Sequence, residues 1–444
     1  RNAVCSSKYA DTIGSRVSTG EISYSNAIYH VPSAMPHNVD SALKAVALCG
    51  TLVGQLLFGY LGDVYGRKPV FGATLVLMGL SSIGSGLSFG STPTGVLTTL
   101  CIFRFILGIG VGGDYPLSAT LMSEYSSRSN RGRFIAAVFA MQGTGILLAA
   151  LVMAQVTVGV AACFQGRDAD ADIMWRVVLM FGLVPTFGTM YWRMKLPETP
   201  RFTLHVRGNL TQANQDANGL MKPNGTTELG DASTPPAEVP ASPVVAPSKM
   251  SWREFLARFG VQLFGCASTW FLLDVAFYSQ NLFQPDVFAA AEWIPKAWTM
   301  TIVDETFTIA KAQAIIAMCS TVPGYWMTVA CIEKLGRFWI QVLGFVMMTL
   351  FMVILAADYT NLRDNHVTQF VILYAMCFFF ANFGPNATTF VIPAELFPSA
   401  FRSTAHGISA ACGKAGIRRD GLHHRSGAIV GAFAFSAVQE RYGL

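Results

Sequence analysis

Charged marks recur in this chain at one long period, always at the ends of apolar runs. Asp63, Gly66, Arg67 and Lys68 lie between two such runs, and Glu333, Gly336 and Arg337 repeat that arrangement at an offset of 270. Glu124 with Arg131 and Glu395 with Arg402 recur at an offset of 271, with the same seven-residue gap inside each pair. Marks copied in register at the ends of long apolar runs indicate an internally duplicated membrane protein. Duplicated halves enclosing a central site are a common construction among secondary transporters.

Composition agrees with that class. Hydrophobic residues make up 52% of the 444, and charged residues only 13%, about half the fraction usual in soluble domains. The net charge of +5 is small, and nothing suggests a nucleic-acid partner. The nine cysteines (Cys5, Cys49, Cys101, Cys163, Cys266, Cys319, Cys331, Cys377 and Cys412) are scattered, mostly within apolar runs, without CxxC or Cys/His clustering. They read as small core hydrophobes, not as a disulfide framework or a metal site. Gly108, Gly110 and Gly113 fit GxGxxG, but they lie inside a span with no strand around them, so a dinucleotide site is rejected. Small-xxx-small spacing at Gly50/Gly54 and Gly108/Gly112 instead predicts close helix contact. No Ser, His or carboxylate cluster resembles a hydrolytic centre, so neither an enzyme nor a cofactor is expected.

A spanning helix needs ~20 mostly apolar residues. Candidates fall near 41–61, 69–88, 97–122, 133–157, 173–195, 255–284, 310–332, 338–357, 366–392 and 403–416, with a weaker apolar piece at 427–438. Basic residues alternate between the loops. Arg67 and Lys68, Arg128, Arg131 and Arg133, the 201–258 stretch, Lys334 and Arg337, and Arg402 all fall on one side, which the positive-inside rule makes cytoplasmic. Residues 203–250 are rich in Pro, Ala, Ser and Thr and cannot bury a core. The organisation expected is an extracellular, partly disordered segment at 1–40, an N-terminal helix bundle at 41–200, a cytoplasmic linker at 201–254 and a C-terminal bundle at 255–444. The Asn209 and Asn224 glycosylation patterns would then lie on the wrong side of the membrane to be used.

The duplication also predicts irregular ends. Subtracting 270 from 255–284 gives −15 to 14, and residues 1–40 hold no apolar span, so the first helix of the first half is expected to be absent from the chain. At the other end, "IRRDGLHHRS" at 417–426 sets three Arg, two His and one Asp inside an apolar stretch, where each charge would be costly in lipid. This reads as an anomalous insert, with the last helix absent as well.

Ionisable residues inside spans mark functional positions by default. Arg104 and Asp114 lie in the 97–122 span, Asp274 in 255–284 and Lys414 in 403–416. Trp270, Asp274 and Tyr278 are spaced i, i+4 and i+8, so they share one helical face. A carboxyl between an indole N–H and a phenol O–H could donate to an oxyanion when protonated and repel it when ionised; a satisfied Asp in helix packing is the alternative. Tyr115 and Asn386 differ by 271, as do Gln142 and Gly413, which precedes Lys414. Polar groups converging from symmetric helices suggest a midplane site, although plain interhelical hydrogen bonding would account for Tyr115 and Asn386 equally well.

The sequence also carries recognisable motifs. "GYLGDVYGRK" resembles the motif after the second helix of the major facilitator superfamily, and "PETPR" at 197–201 is similar to the end-of-half motif of its sugar-porter-like branches. "GIGVGGDYPLSATLMSEY", "FIAAVFAMQGTG", "STWFLLDVAFYSQNLF", "FFFANFGPNATTFVIPAELFP" and "RSTAHGISAACGKAG" closely resemble plant and fungal phosphate:proton symporters, over roughly 38–416. The resemblance implies an all-α membrane protein with the major facilitator fold, two pseudosymmetric six-helix bundles, importing inorganic phosphate with protons by alternating access. It implies a phosphate site of Tyr115, Gln142, Trp270, Asp274, Tyr278 and Asn386, and proton coupling through Asp114, Asp274 and Lys414 with Arg104 in support. The charged marks Asp63, Arg67, Lys68, Glu124, Arg131, Glu333, Arg337, Glu395 and Arg402 would gate the cytoplasmic end. The implied location is multi-pass in the plasma membrane, with the lipid bilayer, phosphate and protons as partners. Two departures stand out: the family's acidic Asp-x-Tyr-Asp-like element in the first helix is not found here, and the insert follows directly after Lys414. Two other readings stay open, a facilitator of another solute such as a sugar, and a transport-inactive sensor or defective gene product.

Overall fold

The computed structural model describes residues 37–89, 93–127, 129–164, 171–209, 211–212, 250–282, 284, 288, 293–294 and 302–414. The expectations for 1–36, for most of the linker, for the 417–426 insert and for 427–438 lie outside the described residues.

The long apolar runs form helices, and the run Pro93–Tyr125 continues unbroken through Pro116. In chain order they are α1 (His37–Tyr65), α2 (Arg67–Gly86), α3 (Pro93–Tyr125), α4 (Arg131–Phe164), α5 (Ala171–Phe181), α6 (Leu183–Lys195) and the short α7 (Pro200–His205). The second half contributes α8 (Trp252–Leu282), α9 (Ile302–Ile316), α10 (Val322–Leu335), α11 (Arg337–Ala357), α12 (Tyr359–Asn365), α13 (Val367–Asn382), α14 (Pro385–Leu396) and α15 (Arg402–Lys414). Among the described residues, eight helical stretches are long and apolar enough to cross a membrane. The expected span at 173–195 is instead divided into α5 and α6, because Pro185 has no N–H to bond back to the carbonyl of Phe181. A single π-helical turn, Ala317–Thr321, joins α9 to α10 just before Pro323, the same kind of local repair. The expected 366–392 span breaks after Asn382 and restarts with Pro385 in the first turn of α14.

Both glycines of the repeated mark have the backbone that selects them. Gly66 (φ 108°) and Gly336 (φ 82°) reverse the chain between α1 and α2 and between α10 and α11, in a region other residues rarely adopt. The small-residue spacing is likewise borne out. A Cβ on Gly50 or Gly54 of α1 would overlap the carbonyl oxygens of Phe105 or Ile109 on α3, and one on Gly108 or Gly112 would overlap those of Ala47 or Thr51. The second half repeats this contact in register: Gly324 on α10 lies against the carbonyl of Phe379 on α13, the positions of Gly54 and Ile109 shifted by 270.

The halves meet through equivalent pairs, α1 against α15 and α10 against α4. One end between them is closed by ion pairs. The other is closed by an apolar cluster in which Leu100, Ile146, Met153, Trp175 and Val178 pack with Phe288, Ile309, Ile316, Tyr374 and Phe378. Large apolar side chains such as Val261, Phe264, Phe338, Trp339 and Val346 are exposed on the outside, as lipid contact requires. Two expectations need correction. The linker does not begin at 201: residues 200–205 are helical, with Phe202 and Thr203 buried against the N-terminal bundle. Nor are the cysteines uniformly core. Cys266 and Cys377 are buried, but Cys319 is exposed on the apolar outer surface, where a small thiol is tolerated.

Candidate functional site

The ion-paired closure is built by crossing, not by the pairs visible in sequence. Glu124 does not pair with Arg131; it accepts from Arg67 at 3.2 Å and from Arg402, of the opposite half, at 3.4 Å. Thr199 of the "PETPR" segment donates its hydroxyl to Glu124 at 2.5 Å. Asp63 ion-pairs with Arg67 at 3.1 Å and caps α15: the Ser403 and Thr404 amides donate to its carboxylate at 3.2 and 2.7 Å, and the Thr404 hydroxyl at 2.6 Å. A carboxylate at a helix N-terminus satisfies amides left over by the helix and meets its positive end.

The second copy repeats the plan. Glu333 accepts from the Arg133 amide at 3.0 Å in the first turn of α4, so each half caps a helix of the other. Arg337 forks onto Glu395 with two bonds of 2.8 Å and also reaches Glu333 at 2.8 Å. The two equivalent guanidinium groups make the same backbone bond, Arg67 to the Gly62 carbonyl and Arg337 to the Ile332 carbonyl. Glu395 is thus held by Arg337 and not by Arg402, whose Nε donates to the Phe397 carbonyl. Arg131 makes no hydrogen bond through its Nε, and Lys68 enters the gate by its backbone, donating its amide to Glu198 at 3.3 Å. Glu198, which was not singled out from the sequence, also accepts from the Arg67 amide at 3.2 Å and so caps α2.

Midway between the gate and the apolar end lies a buried cluster of aromatic and polar groups. Tyr115 on α3 and Phe139 on α4 stand edge-on at 6.4 Å, Phe390 on α14 stacks on Phe139 at 4.5 Å, and Tyr325 on α10 meets Phe139 at 5.6 Å. Trp270 closes the cluster from α8, edge-on to His406 of α15 at 5.3 Å. Asn386 donates to the Tyr325 hydroxyl at 2.5 Å and to Asn382 at 2.8 Å. One helical turn beyond Trp270, the Lys414 ammonium lies 2.5 Å from the Asp274 carboxylate and 4.7 Å above the Tyr278 ring. A side chain on Gly413 would collide with Asp274 and Trp270, so glycine there lets α15 come close enough for the pair to form. Tyr115, Gln142, Trp270, Asp274, Tyr278, Asn386 and Lys414 are all buried.

Two candidates lie elsewhere. Asp114 pairs with Arg193 of α6 at 3.2 Å, and that guanidinium lies over the Phe71 ring. Arg104 is buried on α3 ten residues before Asp114, ~15 Å along the helix. Tyr325, His406 and Arg193 were missed from the sequence. Signals existed for all three: Tyr325 lies at the same offset of 270 from Gln55, and Arg193 and His406 are ionisable residues inside the 173–195 and 403–416 spans. Among the described residues no group of His, Cys, Asp and Glu could hold a metal ion.

Residues 15–416 match the family described as "Sugar (and other) transporter". Inorganic phosphate transporter 1-1 of Oryza sativa subsp. japonica is 52% identical over 439 residues, covering 95% of this chain and 79% of that protein. Low affinity inorganic phosphate transporter 1 of Petunia hybrida is 52% identical over 428 residues, covering 94% and 77%. Among solved structures, the major facilitator superfamily proton:xylose symporter XylE bound to 6-bromo-6-deoxy-D-glucose superposes with a TM-score of 0.64 at 19% identity, covering 100% of this chain and 89% of that one. At that identity the likeness is one of fold.

Proposed function

Because the chain belongs to the sugar (and other) transporter family of the major facilitator superfamily, alongside plant inorganic phosphate transporters, we propose that it imports inorganic phosphate together with protons by alternating access, in the plasma membrane. The observation that carries this reading is the buried pair of Asp274 and Lys414 within the aromatic cluster. A single buried ammonium can neutralise the carboxylate or an incoming anion, but two anions on one cation repel each other in a site of low dielectric. Phosphate entry therefore favours a proton on Asp274. That proton cancels the carboxylate charge, releases the ammonium toward the anion, and turns Asp274 from acceptor into donor. The Trp270 indole N–H, the hydroxyls of Tyr115 and Tyr278 and the amide of Gln142 supply further donors, and Asn386 acts through the Tyr325 hydroxyl it already bonds. Loss of the proton to the cytoplasm re-forms the Asp274–Lys414 pair and expels the anion. Asp114, turned toward Arg193, fixes α3 against α6 in this scheme.

Labelled phosphate uptake into proteoliposomes should rise with an inward proton gradient and collapse with a protonophore. Uptake indifferent to both would remove the coupling. Arsenate should compete and glucose should not. Asp274→Asn keeps size and hydrogen bonding but fixes the neutral form, so phosphate binding should survive while net uptake fails; wild-type uptake with unchanged pH dependence would make Asp274 structural.

A further inference from the structure

We propose that Gln55 is a direct phosphate contact that helps distinguish phosphate from anions without a proton; this rests on the phosphate reading above. Gln55 lies on α1, is 0% exposed, and neither its Nε2 nor its Oε1 has a hydrogen-bond partner. A buried amide left unpaired in this way is uncommon and calls for a function. Its backbone is wedged between α3 and α15: a Cβ on Gly112 would press on the Gln55 nitrogen and one on Gly407 on its carbonyl oxygen. Gln55 is therefore packed between α3 and α15, which carry Tyr115 and Lys414.

The repeat says what surrounds it. Gly54·Ile109 and Gly324·Phe379 are the same contact shifted by 270, so the residues that follow, Gln55 and Tyr325, occupy equivalent places. Tyr325 has two neighbours that locate its side chain, Asn386, whose amide bonds its hydroxyl, and Gly143, which lies against its ring. Shifted by 271, those neighbours become Tyr115, of the candidate phosphate site, and Lys414, which pairs with Asp274 of that site. By the repeat, Gln55 and Tyr325 are equivalent buried polar positions on α1 and α10.

The chemistry suits the substrate. A carboxamide offers two N–H donors and one acceptor oxygen. Phosphate near neutral pH carries both unprotonated oxygens and at least one P–O–H, so it can engage both ends of the amide. Sulfate has no such proton, and its oxygen would face the Gln55 oxygen without a hydrogen between them. A buried acceptor left facing another acceptor discriminates strongly.

The test uses the full-length protein, wild type against Gln55→Leu, Gln55→Asn and Tyr325→Phe. Phosphate KM and Vmax and sulfate competition are read in proteoliposomes, and melting in detergent is read with and without inorganic phosphate. In Gln55→Leu the KM should rise roughly tenfold, as loss of one hydrogen bond to a charged group would give, with Vmax within about twofold. Its phosphate-free melting temperature should not fall, because no protein–protein bond is lost, while stabilisation by phosphate shrinks and sulfate competes better. Gln55→Asn should fall between, and Tyr325→Phe should move KM in the same direction. An unchanged KM and sulfate response in Gln55→Leu would overturn the proposal, as would lowered phosphate-free melting with loss of Vmax. If wild type shows neither uptake nor stabilisation with phosphate, the substrate reading itself fails and this contact with it.

Discussion

The two copies of the charged mark share their arginine–carboxylate and arginine–carbonyl bonds but sit in different surroundings. In the first, the side chains of Arg67 and Glu124 are 0% exposed, and Arg402 of the opposite half is 8% exposed. In the second, Arg337, Glu333 and Glu395 keep 25%, 18% and 22% of their side-chain surface. The first copy is sealed by the segment after α6: Thr199 bonds Glu124, Phe202 lies 4.4 Å under the Arg67 guanidinium, and the Tyr125 hydroxyl donates to the Pro197 carbonyl. It is also tied across the halves by more groups, including the Arg67 bond of 2.6 Å to the Ser399 carbonyl. Sequence symmetry thus specifies bonding geometry, but burial decides how much each bond matters. A sealed ion network is strongly coupled and costly to break, whereas a half-wet one is weak and replaceable.

The comparison breaks if the two glutamates prove equal. Glu124→Ala leaves two buried guanidinium groups short of their carboxylate and should cost about 3–5 kcal/mol. Glu395→Ala, in the exposed copy, should cost no more than about 1 kcal/mol. Chemical or thermal unfolding of the purified protein in detergent measures both, and matching losses would mean that burial does not set the hierarchy.

A smaller pair of effects should be symmetric. Gly54→Ala and Gly324→Ala each push a methyl group into a backbone carbonyl, Ile109 or Phe379, that cannot step aside. Both should lower stability, by about 1–3 kcal/mol, and by similar amounts. A large loss at one and none at the other would show that the repeat's packing is not equivalent where it matters.

The smallest contrast is at the helix caps. Thr404 gives Asp63 both an amide and a hydroxyl, whereas Arg133 gives Glu333 its amide alone. Thr404→Val should therefore cost ~1 kcal/mol and loosen the ion-paired end, readable as faster alkylation of a cysteine placed behind that closure. Arg133→Ala should leave that alkylation rate nearly unchanged; acceleration in both would assign the Arg133 side chain a role its contacts do not suggest.

What was legible in the sequence was whatever the lipid and the duplication enforce. Span positions, the glycine contacts and the shared face of Trp270, Asp274 and Tyr278 follow from hydropathy, from charge avoidance in lipid and from helical spacing. What escaped depends on which side chain meets which across helices. Arg402 and Arg131 look interchangeable in sequence, yet only Arg402 reaches Glu124, because the choice turns on the approach of α15 to α3. Pairing of Asp114 with Arg193 was hidden for the same reason: the partner lies on a span whose division at Pro185 sets its rotation. Tyr325, an uncharged residue inside an apolar run, raises no electrostatic alarm.

The opposite end of the molecule is closed by hydrocarbon, with Leu100, Ile146 and Trp175 packed on Phe288, Ile309 and Tyr374. Parting those surfaces on the aqueous side hydrates apolar area, which adds heat capacity at about 0.45 cal/K/mol for every Å². Parting the ion-paired closure hydrates mainly polar and charged groups, which lowers the heat capacity instead. The free energy separating the two openings should therefore curve with temperature, with cold favouring the form opened at the apolar end as apolar cohesion fades. A straight van't Hoff plot for that equilibrium would contradict the hydrocarbon closure.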